Sequence, residues 1–152
     1  MYTYFNGFII REGIDGFDES ALKALYIDAG WVGNNTPKWQ DEKFKLAFEN
    51  STWAFTVWND EELVGMVRVL SDKIMFATIL DLIIKHPYRK HGIGKKLVES
   101  CMSKLPHGTW YAHTTSNNYS FYEKCGLKLQ NPSESGNCVY FGRRKAREEG
   151  HL

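Results

Sequence analysis

The segment HPYRKHGIGKKL, residues 86–97, sets Gly92 and Gly94 one residue apart among basic side chains. An apolar run, ILDLII (79–84), comes just before it, and apolar residues at helical spacing come just after. A strand, a bare glycine turn and a helix start, in that order, suit an anion. The first N–H groups of a helix have no internal partner, and the helix dipole is positive there. Glycine lets an oxyanion approach the backbone with no Cβ in the way. Arg89, Lys90 and Lys95 add positive charge. The dinucleotide fingerprint GxGxxG is excluded, because Lys95, Lys96 and Leu97 follow Gly94 and the third glycine is missing. A P-loop is excluded too, for want of its first glycine and its hydroxyl. Two readings stand: a pyrophosphate cradle, and a tight turn on a solvated basic face.

Other chemistry-bearing residues narrow the field. Cys101, Cys125 and Cys138 are an odd number with no CxxC spacing, which argues against a disulfide framework or a zinc site. His86, His91, His107, His113 and His151 do not fall at ligand spacings on one helix, so no metal is expected. Net charge is +1, so nothing global points to nucleic acid, and any anion preference is local. No apolar run approaches the roughly 20 residues that span a bilayer. The start MYTYFNGFIIREG lacks the pattern of a secretion signal. The expectation is a cytoplasmic protein with no membrane or nucleic-acid partner. At 152 residues, 43% of them hydrophobic and 24% charged, one domain with one core is favoured.

The elements that must position the glycine stretch follow from periodicity. Residues 5–12 read as a first strand. Asp18 caps a helix with Leu22, Leu25, Tyr26 and Ala29 on one face, ended by Gly30. Thr36 and Pro37 are an N-cap and first-turn pair for a second helix through about Asn50. TWAFTVW (52–58) and LVGMVRVL (63–70) read as antiparallel strands, and IMFATILDLII (74–84) as a central strand buried on both faces. Ile93, Leu97, Val98, Cys101, Met102 and Leu105 form one helical stripe. TWYAHT (109–114) is a strand, and NNYSFYEKCG a short helix stopped by Gly126. LKLQ (127–130) and NCVYFGRR (137–144) read as last strands, before a polar tail, KAREEGHL, to which no role is assigned. The order predicts a mixed α/β domain, one sheet with helices on both faces.

With these elements in place, two motifs carry a resemblance. Arg89-Lys90-His91-Gly92-Ile93-Gly94 after a strand is similar to the acetyl-coenzyme A motif R-x-x-G-x-G of the GNAT superfamily of N-acetyltransferases. Phe121-Tyr122-Glu123-Lys124-Cys125-Gly126-Leu127 resembles a second signature of that family, FYEKxGF, with Leu127 where Phe is usual. The motifs stand in the right order, with one helix and one strand between them. The stretches GWVGNNTPKWQDEKFKLAFENST and LVGMVRVLSDKIMFATILDLII resemble the subgroup that includes the plant serotonin N-acetyltransferases. The resemblance implies a single GNAT-like domain over 1–143, followed by the tail 144–152. It implies a central, mixed and mostly antiparallel twisted sheet, splayed at the cofactor strand.

It also implies an activity: transfer of an acetyl group from acetyl-CoA to the primary amine of a small molecule, by direct attack in a ternary complex. Backbone groups of Leu82, Ile83 and Ile84 would hold the pantetheine arm and stabilise the oxyanion. Arg89, Lys90, His91, Gly92, Ile93, Gly94 and Lys95 would take the pyrophosphate. Tyr122 matches the family's general acid; a tyrosine stays protonated at neutral pH and can donate to the departing sulfur. Tyr119, one turn earlier, is the fallback. Asn117 and Asn118 either hydrogen-bond the cofactor arm or cap a helix. The positions where some members place a basic Glu or His carry Thr78 and Leu80. Asp81, the only carboxylate on the strand, is a possible base, an ammonium ligand or a structural group.

Tyr26, Trp31 and Trp39 would line the acceptor pocket with aromatic faces, suited to an aromatic amine or a cation. Trp53, Phe55 and Trp58 read as core. Asp28 and Asp72 either attract an ammonium or serve a helix end and a turn. Cys125 reads as a small filler. Two other functions fit the same residues: a lysine acetyltransferase acting on proteins, and a non-catalytic acyl-CoA-binding module. A homodimer through the final strands fits the fold.

Overall fold

The computed structural model of the chain describes residues 1–16 and 18–151. The chain opens with a hairpin, β1 (Tyr2–Phe5) and β2 (Phe8–Glu12), where the sequence reading has one strand. The break is Asn6-Gly7, both with positive φ (48° and 85°), the pair that a two-residue hairpin turn requires. Phe5 therefore pairs with Phe8. Helix α1 (Glu19–Asp28) starts as expected, the Asp18 side chain accepting the Ala21 N–H at 2.8 Å. Helix α2 (Lys38–Glu49) begins one residue late: Pro37 occupies the cap position. The Thr36 hydroxyl is drawn off by the Asp41 carboxylate, at 2.6 Å, and so does not cap.

Strands β3 (Trp53–Asn59), β4 (Glu62–Ser71) and β5 (Phe76–Ile84) form an antiparallel meander with β2. β5 starts two residues later than the apolar run suggests. Asp72 gathers the N–H groups of Ile74, Met75 and Phe76 at 2.8, 2.8 and 3.0 Å, which makes Ile74 and Met75 a turn. Helix α3 (Ile93–Met102) crosses back, and β6 (Thr109–Ala112) joins β5 in parallel. The six-stranded sheet keeps chain order from β1 to β6.

Two cores sandwich the sheet. On one face Ile93, Leu97, Val98 and Cys101 of α3 meet Val57, Val64, Val67, Val69 and Ile79, all buried. Burial of each such aliphatic side chain contributes about 1.5–3 kcal/mol. On the other, Leu22, Leu25 and Tyr26 of α1 and Phe48 of α2 meet Ala54, Trp58, Met66 and Ile83. Phe55 and Trp58 are core, as read from sequence, and Trp53 stacks on Trp110 at 6.4 Å.

After β6 the chain runs through a 3-10 turn (Ser116–Asn118) into the short helix α4 (Tyr119–Lys124). The two final strands read from sequence do not form. LKLQ and the first part of NCVYFGRR are irregular, and Gly142–Glu148 make helix α5. A strand exists only through a partner, and β6, four residues long, pairs with β5 alone among the described residues. Residues 142–148 carry Arg, Lys, Ala and Glu, good helix formers, and Lys145 reaches Glu149 at 3.8 Å one turn on. Among the described residues no helix is long and apolar enough to cross a membrane.

Candidate functional site

β5 pairs with β6 only from Phe76↔Thr109 to Ile79↔Ala112. It continues to Ile84 with β4 on its other edge, through Gly65↔Ile84. Leu80 to Ile84 therefore have no sheet neighbour on the β6 side among the described residues. Pairing with β6 ends there, and Leu82, Ile83 and Ile84 have no strand on that flank among the described residues.

The glycine stretch begins where β5 ends. A 3-10 turn (His86–Tyr88) leads to Arg89, whose Nε donates to the Ile84 carbonyl at 2.8 Å. Asp28, at the end of α1, fastens the turn: its Oδ2 accepts the His86 N–H at 3.0 Å, lies 2.9 Å from His86 Nδ1 and 3.8 Å from Arg89. Asp28 is thus engaged by the loop, and Asp72 by its own turn. Lys90 and Gly92 both have positive φ, 64° and 79°. The first helical bond of α3 is Lys96 N–H to the Gly92 carbonyl. The N–H groups of residues 90–95 find no partner among the described residues. They form a run of free donors at the positive end of a helix, with Lys90 and Lys95 exposed beside them.

The two glycines act differently. A Cβ at Gly92 would meet Phe5 at an ordinary 3.5 Å, so the left-handed backbone, not space, asks for glycine. A Cβ at Gly94 would stand 3.2 Å from the Phe121 ring, so here close packing of α3 against α4 asks for it. The hairpin also props the loop: Asn6 Nδ2 donates to the His91 carbonyl at 3.1 Å, and His91 packs edge-on to Phe8.

Tyr122 lies on α4 with its ring against the α3-side core and 5.0 Å from the Phe121 ring. Burial, with the nearby thiols of Cys125 and Cys101, pushes its hydroxyl up to about 12. That hydroxyl makes no hydrogen bond among the described residues, and it is not sealed from solvent. It is a protonated donor with no internal acceptor. Asn118 does not cap α4; its amide donates to Thr114 at 3.2 Å. Asn117 and Tyr119 sit on the same approach to the helix, Asn117 exposed and Tyr119 half-buried. Cys125 is half-buried at the helix end, its thiol pushed up by burial.

Asp81 is the largest departure from the strand pattern. Val67 stands opposite both Asp81 and Leu82, between the pairs Met66↔Ile83 and Arg68↔Leu80, so β5 bulges. Asp81 Oδ2 accepts from Arg68 Nε at 2.6 Å and from the Tyr26 hydroxyl at 2.8 Å. Tyr26, assigned from sequence to the acceptor side, is 5% exposed, with its ring stacked 4.4 Å from Phe44. Burial and the Asp81 charge drive its hydroxyl far above the ordinary tyrosine range, so it only donates. Trp31 stays half-exposed, 5.9 Å from the Tyr26 ring. Trp39 is also partly exposed, with the Lys43 ammonium 4.7 Å over it.

Arg68 was missed in the sequence reading, though its signal was there. It is the one charge in LVGMVRVL, as Asp81 is in ILDLII. Two opposite lone charges in adjacent apolar strands call for each other.

The model of the acetyltransferase (GNAT) family matches residues 20–127, and the chain belongs to that family. Residues 27% identical over 84 positions are found in YvbK, an uncharacterized N-acetyltransferase of Bacillus subtilis (strain 168); the match covers 50% of this chain. It spans about half the length of that curated relative, 53%. Among solved structures, the GNAT family acetyltransferase SP0256 of Streptococcus pneumoniae TIGR4 superposes with TM-score 0.74 at 19% identity, over 90% of this chain and 98% of that one. The glucosamine-6-phosphate N-acetyltransferase of Arabidopsis thaliana gives 0.63 at 20% identity, over 88% and 98%. At such identities the likeness is one of fold.

Proposed function

We propose that the chain transfers the acetyl group of acetyl-CoA to the primary amine of a small molecule, by direct attack within a ternary complex. The observation that carries this reading is the meeting of a run of free amides with a strand flank that lacks a neighbouring strand, its Ile84 carbonyl held by Arg89. The free N–H groups of residues 90–95 follow directly on the unpaired flank of Leu82–Ile84. Phosphate oxygens suit the first, and an amide-bearing arm suits the second. Acetyl-CoA offers both, and supplies the thioester that is cleaved.

In this reading Gly92, Ile93, Gly94 and Lys95 bind the pyrophosphate by main-chain N–H groups, with Arg89, Lys90 and His91 at the rim. Leu82, Ile83 and Ile84 hold the arm as an added strand. A fixed N–H of that stretch facing the carbonyl oxygen contributes about 3 kcal/mol to the barrier reduction. Tyr122 gives its proton to the leaving sulfur. The acceptor enters from the side of Trp31 and Trp39, and its amine loses a proton to solvent or to a neighbouring group. The likeness of residues 30–52 and 63–84 to the plant serotonin N-acetyltransferase subgroup is proposed as kinship, without fixing the acceptor.

The test is thiol release from acetyl-CoA with a panel of primary amines. Release above the amine-free rate for a small amine supports the reading. Release only with lysine peptides would move the acceptor to proteins. Coenzyme A binding with no amine-dependent release would leave a pure binder.

A further inference from the structure

Asp81 holds a backbone conformation that strands avoid. Its φ is +50°, in the left-handed region, which is disfavoured for a residue with a Cβ. It is also the bulge residue, sharing Val67 with Leu82. Such a conformation persists only where the surroundings hold it. Here two elements do so. Arg68 reaches across from β4 and Tyr26 down from α1, and both end on Asp81 Oδ2. Both donors sit in packed surroundings. The Tyr26 ring is locked against Phe44, and the Arg68 guanidinium lies 6.0 Å over the Phe48 ring. Hydrogen bonds to a carboxylate are short and strong. Residue 82, next along, opens the stretch proposed to carry the acyl-CoA arm.

We propose that Tyr26 and Arg68 clamp Asp81, and that this clamp sets the backbone path of Leu82–Ile84 on the unpaired flank of β5. The inference rests on the acetyltransferase reading above and assigns Asp81 as a positioning residue rather than the base. Its Oδ2 is engaged at once by donors from two neighbouring elements, the geometry of a structural tie.

Asp81→Asn separates the roles. Asparagine tolerates the left-handed backbone and keeps an acceptor oxygen, but it takes up no proton at these pH values. Asp81→Ala keeps neither virtue. The clamp predicts that Asp81→Ala weakens coenzyme A binding about tenfold or more in calorimetry, while Asp81→Asn stays within about fivefold in binding and turnover. In the chain without ligand, hydrogen exchange at the Ile83 amide, which pairs across to Met66, should quicken about tenfold in Asp81→Ala and measurably in Tyr26→Phe, while those of Val57 and Val69 hold. Tyr26→Phe, which loses one oxygen, decides the matter if Asp81→Ala does not fold.

Two results would overturn the proposal. One is a turnover loss in Asp81→Asn as deep as in Asp81→Ala, with binding intact and the acidic limb of the pH profile changed; that is a base. The other is unchanged exchange and unchanged binding when the clamp is cut. Absence of coenzyme A binding in the unaltered chain would instead sink the acetyltransferase reading, and the exchange data would still judge the clamp.

Discussion

β5 is one strand in two environments. From Ala77 to Ile79 it has β4 on one edge and β6 on the other, with Ala77 and Ile79 buried in the core. From Leu80 to Ile84 it keeps β4 and loses β6. The side chains of the two halves, FATI and LDLII, differ little in hydrophobicity. The functional difference comes from the neighbour: β6 stops at Ala112, and the chain turns off toward α4. The unpaired edge here is made by ending a strand early, and the same detour leads to the helix that carries Tyr122.

Substitutions in each region should separate holding the ligand from holding the fold. Gly92→Val, at φ +79°, forces a β-branched side chain into a left-handed backbone beside the open half. It should weaken coenzyme A binding about a thousandfold, the equivalent of about 4 kcal/mol, by calorimetry. Binding at full strength would remove the cradle from this loop. Ile79→Ala, in the paired half, should cost about 3 kcal/mol of stability in a denaturant titration. Below its unfolding range it should bind coenzyme A within about twofold of the parent, since distant sites act independently. A large affinity loss there would blur the two halves into one. Tyr122→Phe should cut turnover about a hundredfold, about 2.7 kcal/mol, and leave coenzyme A affinity alone. Unchanged turnover would pass the acid's role to Tyr119 or to solvent.

The smallest effect is the pH response. Tyr122 moves from an ordinary 10.0 to about 12 through burial. The unfolded chain gives up this proton first as pH rises. Its contribution to stability is therefore complete below pH about 10 and lost as pH climbs through about 12. Over the same range the acid stays protonated, so kcat/KM should rise with the uncharged fraction of an alkyl amine, about 10.4 in pKa, and not turn down before pH about 11. A downturn near pH 8 would assign the proton to another group.

Much of this was legible in the sequence. The glycine stretch, the α3 stripe and the order of the first three long strands follow from local patterns that tertiary packing did not overrule. The hairpin at Asn6-Gly7 was equally legible and was passed over, because the flanking apolar residues ran together as one strand. The bulge was not readable. Strict alternation sets Asp81 opposite Leu80, and only the pairing with β4 shows that the register slips. The last strands failed for the complementary reason: NCVYF has the composition of a strand, but pairing is a property of two segments. For the site, the loop and Tyr122 came from motif spacing. The Tyr26–Asp81–Arg68 contact joins α1, β4 and β5 across distances no local window spans.

The bare Cα at position 94 leaves a gap so narrow that Phe121 nearly fills it. The glycine turn and the helix bearing Tyr122 are thereby geared together. Enlarging residue 94 would push Tyr122's helix outward at the same moment that it reshaped the loop. A methyl group at 94 should be tolerated only alongside a smaller ring or an aliphatic side chain at 121, so these two positions form a single design choice.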